Sequence, residues 1–168
     1  MSSPTELKIP KALQRRERLG MLWAPWRMLE SEHRDLGSAL RRYRHWLRRI
    51  PPPPWERATL ERWGTMLDFL KTRTYGHFKI EEQIVFPYLR RCRPSLGPDL
   101  RRLQQEHVAF RRAFASLTRL HRRPLSPAAE TRAALQRRRQ SLRVIALLER
   151  HARHEQRLMR RRPHAAFV

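Results

Sequence analysis

An internal repeat constrains this chain more than any other feature. His33, His77 and Glu81 recur at a constant offset of 74 residues as His107, His151 and Glu155. Each half reads His, then His-x-x-x-Glu, with 44 residues between the two histidines. All six are metal-ligating residue types, and four imidazoles with two carboxylates make a natural donor set for a pair of iron ions. Manganese and zinc also accept such donors; a thiolate-preferring metal fits less well. A chain with this repeat must bring two similar halves to one place.

The apolar pattern says how. Leu22, Trp26, Leu29, His33, Leu36, Leu40, Tyr43 and Leu47 follow a 4-3-4-3 rhythm, the stripe of a helix packing in a bundle. Adding 74 gives Leu96, Leu100, Leu103, His107, Phe110, Phe114, Leu117 and His121. A second type of helix places Leu60, Trp63, Leu67, Leu70, Thr74, His77, Glu81 and Ile84 along one seam, echoed at Val144, Leu148, His151, Glu155 and Leu158. Arg137 and Ser141 also fall on that echoed seam, so the start of the fourth helix is expected to rotate or lie outside the core.

Prolines supply the breaks. Pro51–Pro54, Pro94–Pro98 and Pro124–Pro127 separate four helices, Pro163 stops the last, and Pro87 is expected to kink or end the second. Ser126 and Pro127 read as an N-cap and first-turn pair. The midpoint between His33 and His77 is residue 55, and between His107 and His151 it is residue 129, both beside prolines. Each pair therefore sits at matching heights in an antiparallel hairpin. The expected fold is all-α, an up-down-up-down antiparallel four-helix bundle over residues 21–162. A flexible basic N-terminal extension (1–20) and a C-terminal tail (163–168) flank it.

Composition narrows the setting. The net charge is +23, and only four of the 38 basic residues are lysine (Lys8, Lys11, Lys71, Lys79). Clustered guanidinium groups suit a nucleic-acid partner, which makes a basic helical nucleic-acid-binding module the alternative function. Arginine doublets are instead spread along the whole chain (Arg41-Arg42, Arg90-Arg91, Arg111-Arg112, Arg138-Arg139), which favours a compositional origin on solvent-facing helix positions. No helix-turn-helix or zinc-finger pattern is visible. The single cysteine, Cys92, excludes an internal disulfide; Arg90 to Arg93 around it could lower its pKa, but an incidental thiol is the simpler reading. No signal-peptide core and no run of ~20 apolar residues is present, so a cytoplasmic protein without a membrane span is expected.

On helices, residues four apart point the same way. His77 with Glu81, and His151 with Glu155, each present a nitrogen and a carboxylate to the bundle axis, and His33 and His107 each add an imidazole. The set predicts two non-heme iron ions (Fe2+/Fe3+), one on His33 and His77, the other on His107 and His151. Glu81, Glu155 and a solvent-derived bridge would join them and leave one position for a small ligand. Metal coordination also explains why carboxylates stand on a core seam, where an unpaired charge is costly. His45, His121, His154 and His164 break the offset; His154 is the main competitor as a ligand. His121 reads as packing near a helix end, and Glu82 as facing solvent.

With these residues in view, the chain resembles the hemerythrin-like family of HHE cation-binding domains over about residues 21 to 162. The words that carry the likeness are Glu-His-Arg-Asp-Leu at 32–36, His-Phe-Lys-Ile-Glu-Glu-Gln-Ile-Val-Phe-Pro at 77–87, Gln-Glu-His at 105–107 and His-Ala-Arg-His-Glu at 151–155. The resemblance implies a di-iron centre that binds or senses dioxygen or nitric oxide, or handles iron. Oxygen-carrying members have a further histidine one turn beyond the third-helix ligand, where this chain has Arg111; sensing, redox or iron handling fits better than reversible carriage. The ferritin-like class needs paired Glu-x-x-His motifs, and only Glu30 to His33 has that spacing. No separate general acid, base or nucleophile marks an enzyme, which leaves di-iron peroxide or nitric oxide chemistry as a minor alternative.

Overall fold

The computed structural model describes the backbone of residues 11–122 and 127–160, and side-chain surroundings for residues 29, 31–91, 93–121 and 129–158. The described chain is all helical, with no strand. Its order is α1 (Lys11–Arg49), α2 (Arg57–Ile80), a π-helical turn (Glu81–Val85), α3 (Phe86–Cys92), a 3-10 turn (Pro94–Leu96), α4 (Gly97–Arg122) and α5 (Pro127–Arg160). The helix α1 begins inside the stretch assigned to the N-terminal extension. Residues 1–10 and 163–168, with the expectations for Ser126 and Pro163 and for the side chains of Leu22, Trp26 and Cys92, lie outside the described residues.

The proline breaks fall where the sequence places them. Pro51–Pro54 separates α1 from α2, and Trp55 beside them donates its Nε1 hydrogen to the Pro51 carbonyl at 3.0 Å. Pro94 opens the 3-10 turn before α4, and Pro127 is the first residue of α5. Pro87 does not end the helix. The backbone stays right-handed helical at Ile80, Glu81, Val85 and Phe86, and the chain continues to Cys92.

A wider turn accommodates that proline. The Phe86 amide reaches back five residues, to the Glu81 carbonyl. A proline in a regular α-helix lacks a donor and collides with the carbonyl four residues earlier; a π turn just before it relieves the collision. The extra residue also shifts the register. Ile84, expected on the buried seam, is 45 % exposed, and Val85 takes the inward place at 5 %.

Two apolar clusters bracket the middle of the bundle. One contains Leu36, Leu40, Leu47, Trp63, Leu70, Phe110, Phe114, Leu117 and Leu148. The other, on the opposite side of the seam histidines, contains Leu29, Val85, Phe86, Leu100, Leu103 and Leu158. Each such side chain contributes roughly 1.5–3 kcal/mol on full burial. Arg44 on α1 also pairs with Glu149 on α5.

The start of α5 corrects a further expectation. Arg137 and Ser141 do not rotate away from the core; they are 5 % and 0 % exposed. Trp63 on α2 serves Ser141, and Glu130 earlier on α5 serves the Arg137 guanidinium. Trp63 Nε1 donates to Ser141 Oγ at 2.8 Å, Arg137 Nη1 donates to Glu130 Oε1 at 2.5 Å, and the guanidinium lies 5.5 Å from the Trp63 ring centroid. His121 packs edge-on against the same indole at 5.0 Å. Among the described residues, no helix is long and apolar enough to cross a membrane.

Candidate metal centre

The six repeat residues converge between the two apolar clusters. His77, Glu81, His107, His151 and Glu155 are 0 to 4 % exposed, and the His33 side chain is 7 % exposed. The first pair meets with His33 Nε2 and His77 Nε2 2.9 Å apart. The second pair meets at 3.2 Å, His107 Nε2 to His151 Nε2. Both contacts join a histidine of the leucine-striped helix type to the histidine of a His-x-x-x-Glu motif, as the 44-residue spacing requires.

The carboxylates lie between these pairs. Glu81 Oε2 is 3.0 Å from His107 Nε2 and 3.6 Å from His151 Nε2, while its Oε1 is 3.6 Å from His77 Nε2. Glu155 Oε2 approaches His33 Nε2 at 2.6 Å and stands 3.9 and 4.0 Å from His77 and His151. Glu81 thus touches both pairs at short range, and Glu155 leans towards the first. Two groupings result, His33-His77-Glu81-Glu155 and Glu81-His107-His151, each with ligand atoms within 4.8 Å of one another. Donors about 2.1 Å from one ion are at most about 4.2 Å apart, so each grouping needs only a small contraction to close on a cation.

The donor chemistry fits a cation. Carboxylates accept hydrogen bonds from Nδ1 of three of the four imidazoles: Glu32 from His77 at 2.9 Å, Glu82 from His107 at 2.7 Å and Glu106 from His151 at 3.3 Å. A histidine that donates from Nδ1 in its neutral form presents a lone pair at Nε2. Facing lone pairs at such distances repel unless a proton or a metal ion lies between them. Both oxygens of Glu81 and Oε2 of Glu155 are buried without a hydrogen-bond partner, an arrangement that costs several kcal/mol if nothing positive shares the space. Without metal, protons do part of this work. Burial lowers the pKa of His77, but Glu155, Glu81 and Glu32 outweigh it and hold the imidazole at about 9. Burial likewise lowers that of His151, and Glu106, Glu81 and Glu155 bring it to about 9. Burial raises the pKa of Glu81, yet His107, His151 and His77 leave it well below the usual carboxylate range.

The sequence profile of the Hemerythrin HHE cation binding domain matches residues 24–162. The chain belongs to the hemerythrin family. Comparisons with curated proteins and with solved structures give no match. Cation binding, with iron the usual ion, is the property of this domain, and the clustered His and Glu residues form a candidate site for it.

Two features of this hemerythrin domain were missed in its sequence. Glu32 and Glu106 are themselves 74 residues apart, and each immediately precedes a predicted ligand while hydrogen-bonding the histidine of the opposite helix. The same offset that found the six residues would have found them. Glu82, expected to face solvent, instead accepts from His107 Nδ1 and from Arg111 Nη2 at 2.9 Å. Its side chain is 29 % exposed. Burial opposes its ionisation, but Arg111 and His107 hold its pKa low. Arg111, which stands where oxygen carriers have a histidine, is therefore engaged outside the donor cluster.

His107 is further fixed by a stack on Phe78, with ring centroids 3.6 Å apart and planes 14° from parallel. His154 does not join the cluster. Its Nδ1 lies 2.5 Å from Glu106 Oε1, behind His151. His45 is exposed.

Proposed function

We propose that this hemerythrin domain is a cytoplasmic di-iron protein that binds or senses a diatomic gas, dioxygen or nitric oxide, with iron handling as the related role. In this reading residues 21–162 run up-down-up-down as an antiparallel bundle between the extension (1–20) and the tail (163–168). His33, His77 and Glu155 hold one ion, His107 and His151 hold the other, and Glu81 bridges them with a solvent-derived bridge. Bound iron supplies an open coordination position and an Fe2+/Fe3+ couple. The protein's own contribution is to aim four Nε2 lone pairs inward, to fix three of the rings through Glu32, Glu82 and Glu106, and to seal the centre with apolar clusters at both ends.

One observation carries the proposal: imidazole pairs meet nitrogen to nitrogen around a buried carboxylate whose oxygens have no hydrogen-bond partner. A cavity of about 240 Å³ bounded in part by Leu36, Phe69, Glu32 and His77 supports small-ligand access on the first side. Arg111, tied to Glu82, favours sensing or redox use over reversible carriage. Metal analysis of purified protein, with optical spectra under air and under nitric oxide, tests the reading. Close to two irons per chain and a spectrum that changes with the gas are expected. A colourless preparation that stays metal-free after reconstitution with ferrous iron overturns it.

A further inference from the structure

A second concave site lies away from the histidines, between α4 and α5. It has a volume of about 680 Å³, within the range of small-molecule pockets. Arg112, Arg143 and Arg150 line it over a floor that includes Ala113, Ala146 and Leu147, and no acidic residue lines it. Arg112 and Arg143 have no carboxylate partner among the described residues. Arg150 is only loosely held, its Nε 3.9 Å from Glu106 Oε1.

The repeat shows what is particular about this groove. The related cavity beside α1 and α2 is lined by Glu32 and Asp35 as well as by Arg42 and Arg73, so its charges balance. At the positions of Asp35, Ser38 and Phe69, the second half has Ala109, Arg112 and Arg143. Arg42 and Arg73 give way to Ser116 and Leu147, while Arg112, Arg143 and Arg150 enter, so the second concavity has lost the acids from its lining and carries three guanidinium groups where the first has two. Arginine scattered over a basic surface does not by itself make a site; three lining one cavity with no acid in its lining give it a definite ligand chemistry. Guanidinium forks pair with phosphate oxygens through parallel N–H donors.

We propose that the α4–α5 groove binds a small oligophosphate, with Arg112, Arg143 and Arg150 taking the phosphate groups. The ligand is either a nucleoside polyphosphate or an inorganic oligophosphate. Gln140 also lines the groove, and its buried Oε1 lacks a hydrogen-bond partner. Rotation of the Gln140 amide would bring that acceptor to an N–H or O–H of an organic ester, and the apolar floor would cover its body. The site does not depend on the metal reading, because none of its residues belongs to the histidine cluster.

Calorimetric titration of the full chain at 0.1 M salt with ATP and with inorganic triphosphate tests the proposal. Arg112→Ala/Arg143→Ala should weaken binding at least about tenfold. Arg132→Ala/Arg139→Ala, equal charge loss at exposed positions of α5 outside the groove, should change it less than about twofold, in line with a non-specific charge effect. Alanine is the best helix former, so both variants should keep the wild-type helical circular dichroism. Tighter binding of ATP than of triphosphate identifies an organic ester as the source; equal binding identifies an inorganic oligophosphate. Three outcomes overturn the site: no binding of either anion, equal weakening by groove and control variants, or binding confined to duplex DNA.

Discussion

The two ends of the bundle seam put one repeat to opposite uses. Around the candidate metal centre, matched positions hold the same residue: His33 and His107, His77 and His151, Glu81 and Glu155, Glu32 and Glu106. Towards the Pro51–Pro54 end, matched positions differ: Leu47 and His121, Trp63 and Arg137, Leu67 and Ser141. A pair of like ions asks for like donors on both sides. Packing asks only that volume be filled and polar atoms be paired, and that can be met by unlike residues. Trp63 and Arg137, which occupy equivalent positions in the two halves, simply stack on each other.

Even the matched end has an asymmetry. Glu82 and Arg111 brace His107, while the equivalent positions for His33 hold Gln156 and Gly37. Glu81 is also central where Glu155 is offset. The largest expected effect follows from that difference. Glu81→Ala should lose the second ion, which would keep only His107 and His151, and retain at most about half the wild-type metal on His33, His77 and Glu155. Glu155→Ala should retain more than half, since His107-His151-Glu81 is untouched and His33-His77-Glu81 still offers three donors. Elemental analysis of the two variants decides; equal losses would mean that the carboxylates are equivalent and the asymmetry has no consequence.

Next in size are the carboxylates behind the rings. Glu32→Gln and Glu106→Gln should each weaken metal retention by roughly 10- to 100-fold, the usual range for partners that orient ligating histidines. Glu82→Gln should act on the second ion alone. Chelator competition followed by optical titration would show one weakened step rather than two, and uniform weakening of both would count against the half-site assignment.

The pH response of the metal-free protein separates proton from metal stabilisation. Folding raises the pKa of His77 and of His151 from an ordinary 6.5 to about 9. Raised pKa values mean the folded state binds protons more tightly than the unfolded chain does. This contribution is fully present below pH 6.5 and disappears as pH rises through about 9. The melting temperature of chelator-treated protein should therefore fall across that interval. With metal on the lone pairs the order reverses, because protons displace the ion as the pH is lowered. A metal-free melting temperature that rises between pH 6.5 and 9 would contradict the proton account.

What could be read from the sequence follows the same division. The convergence of six side chains was legible because a 74-residue offset, the helical period and proline positions all constrain it. Side-chain choices made across helices were not. Nothing in the local pattern around Arg137 and Ser141 shows that Trp63 of α2 would meet both of them in the core. Nor does the seam rhythm reveal that the π turn before Pro87 would expose Ile84 and bury Val85. Glu32 and Glu106 lay within reach of the repeat, but carboxylates beside a ligand resemble solvent-facing residues until their partners are seen.

The smallest effect belongs to the far end and should leave the metal untouched. Ser141 is the hydrogen-bond acceptor for the buried Trp63 indole, so Ser141→Ala strands that donor and should cost about 1 kcal/mol in urea unfolding. Trp63→Phe removes the indole N–H together with some packing volume. If the hydrogen bond is what couples the two positions, the double variant Trp63→Phe/Ser141→Ala loses less than the sum of the single losses, because no donor is then left unpaired. Bound iron should match wild type in all three variants, since none touches the histidine cluster. Additive losses would mean that Ser141 contributes by volume alone. A fall in iron content would mean instead that the far end sets the positions of the metal-binding residues, and that the two ends of the seam are not energetically separate.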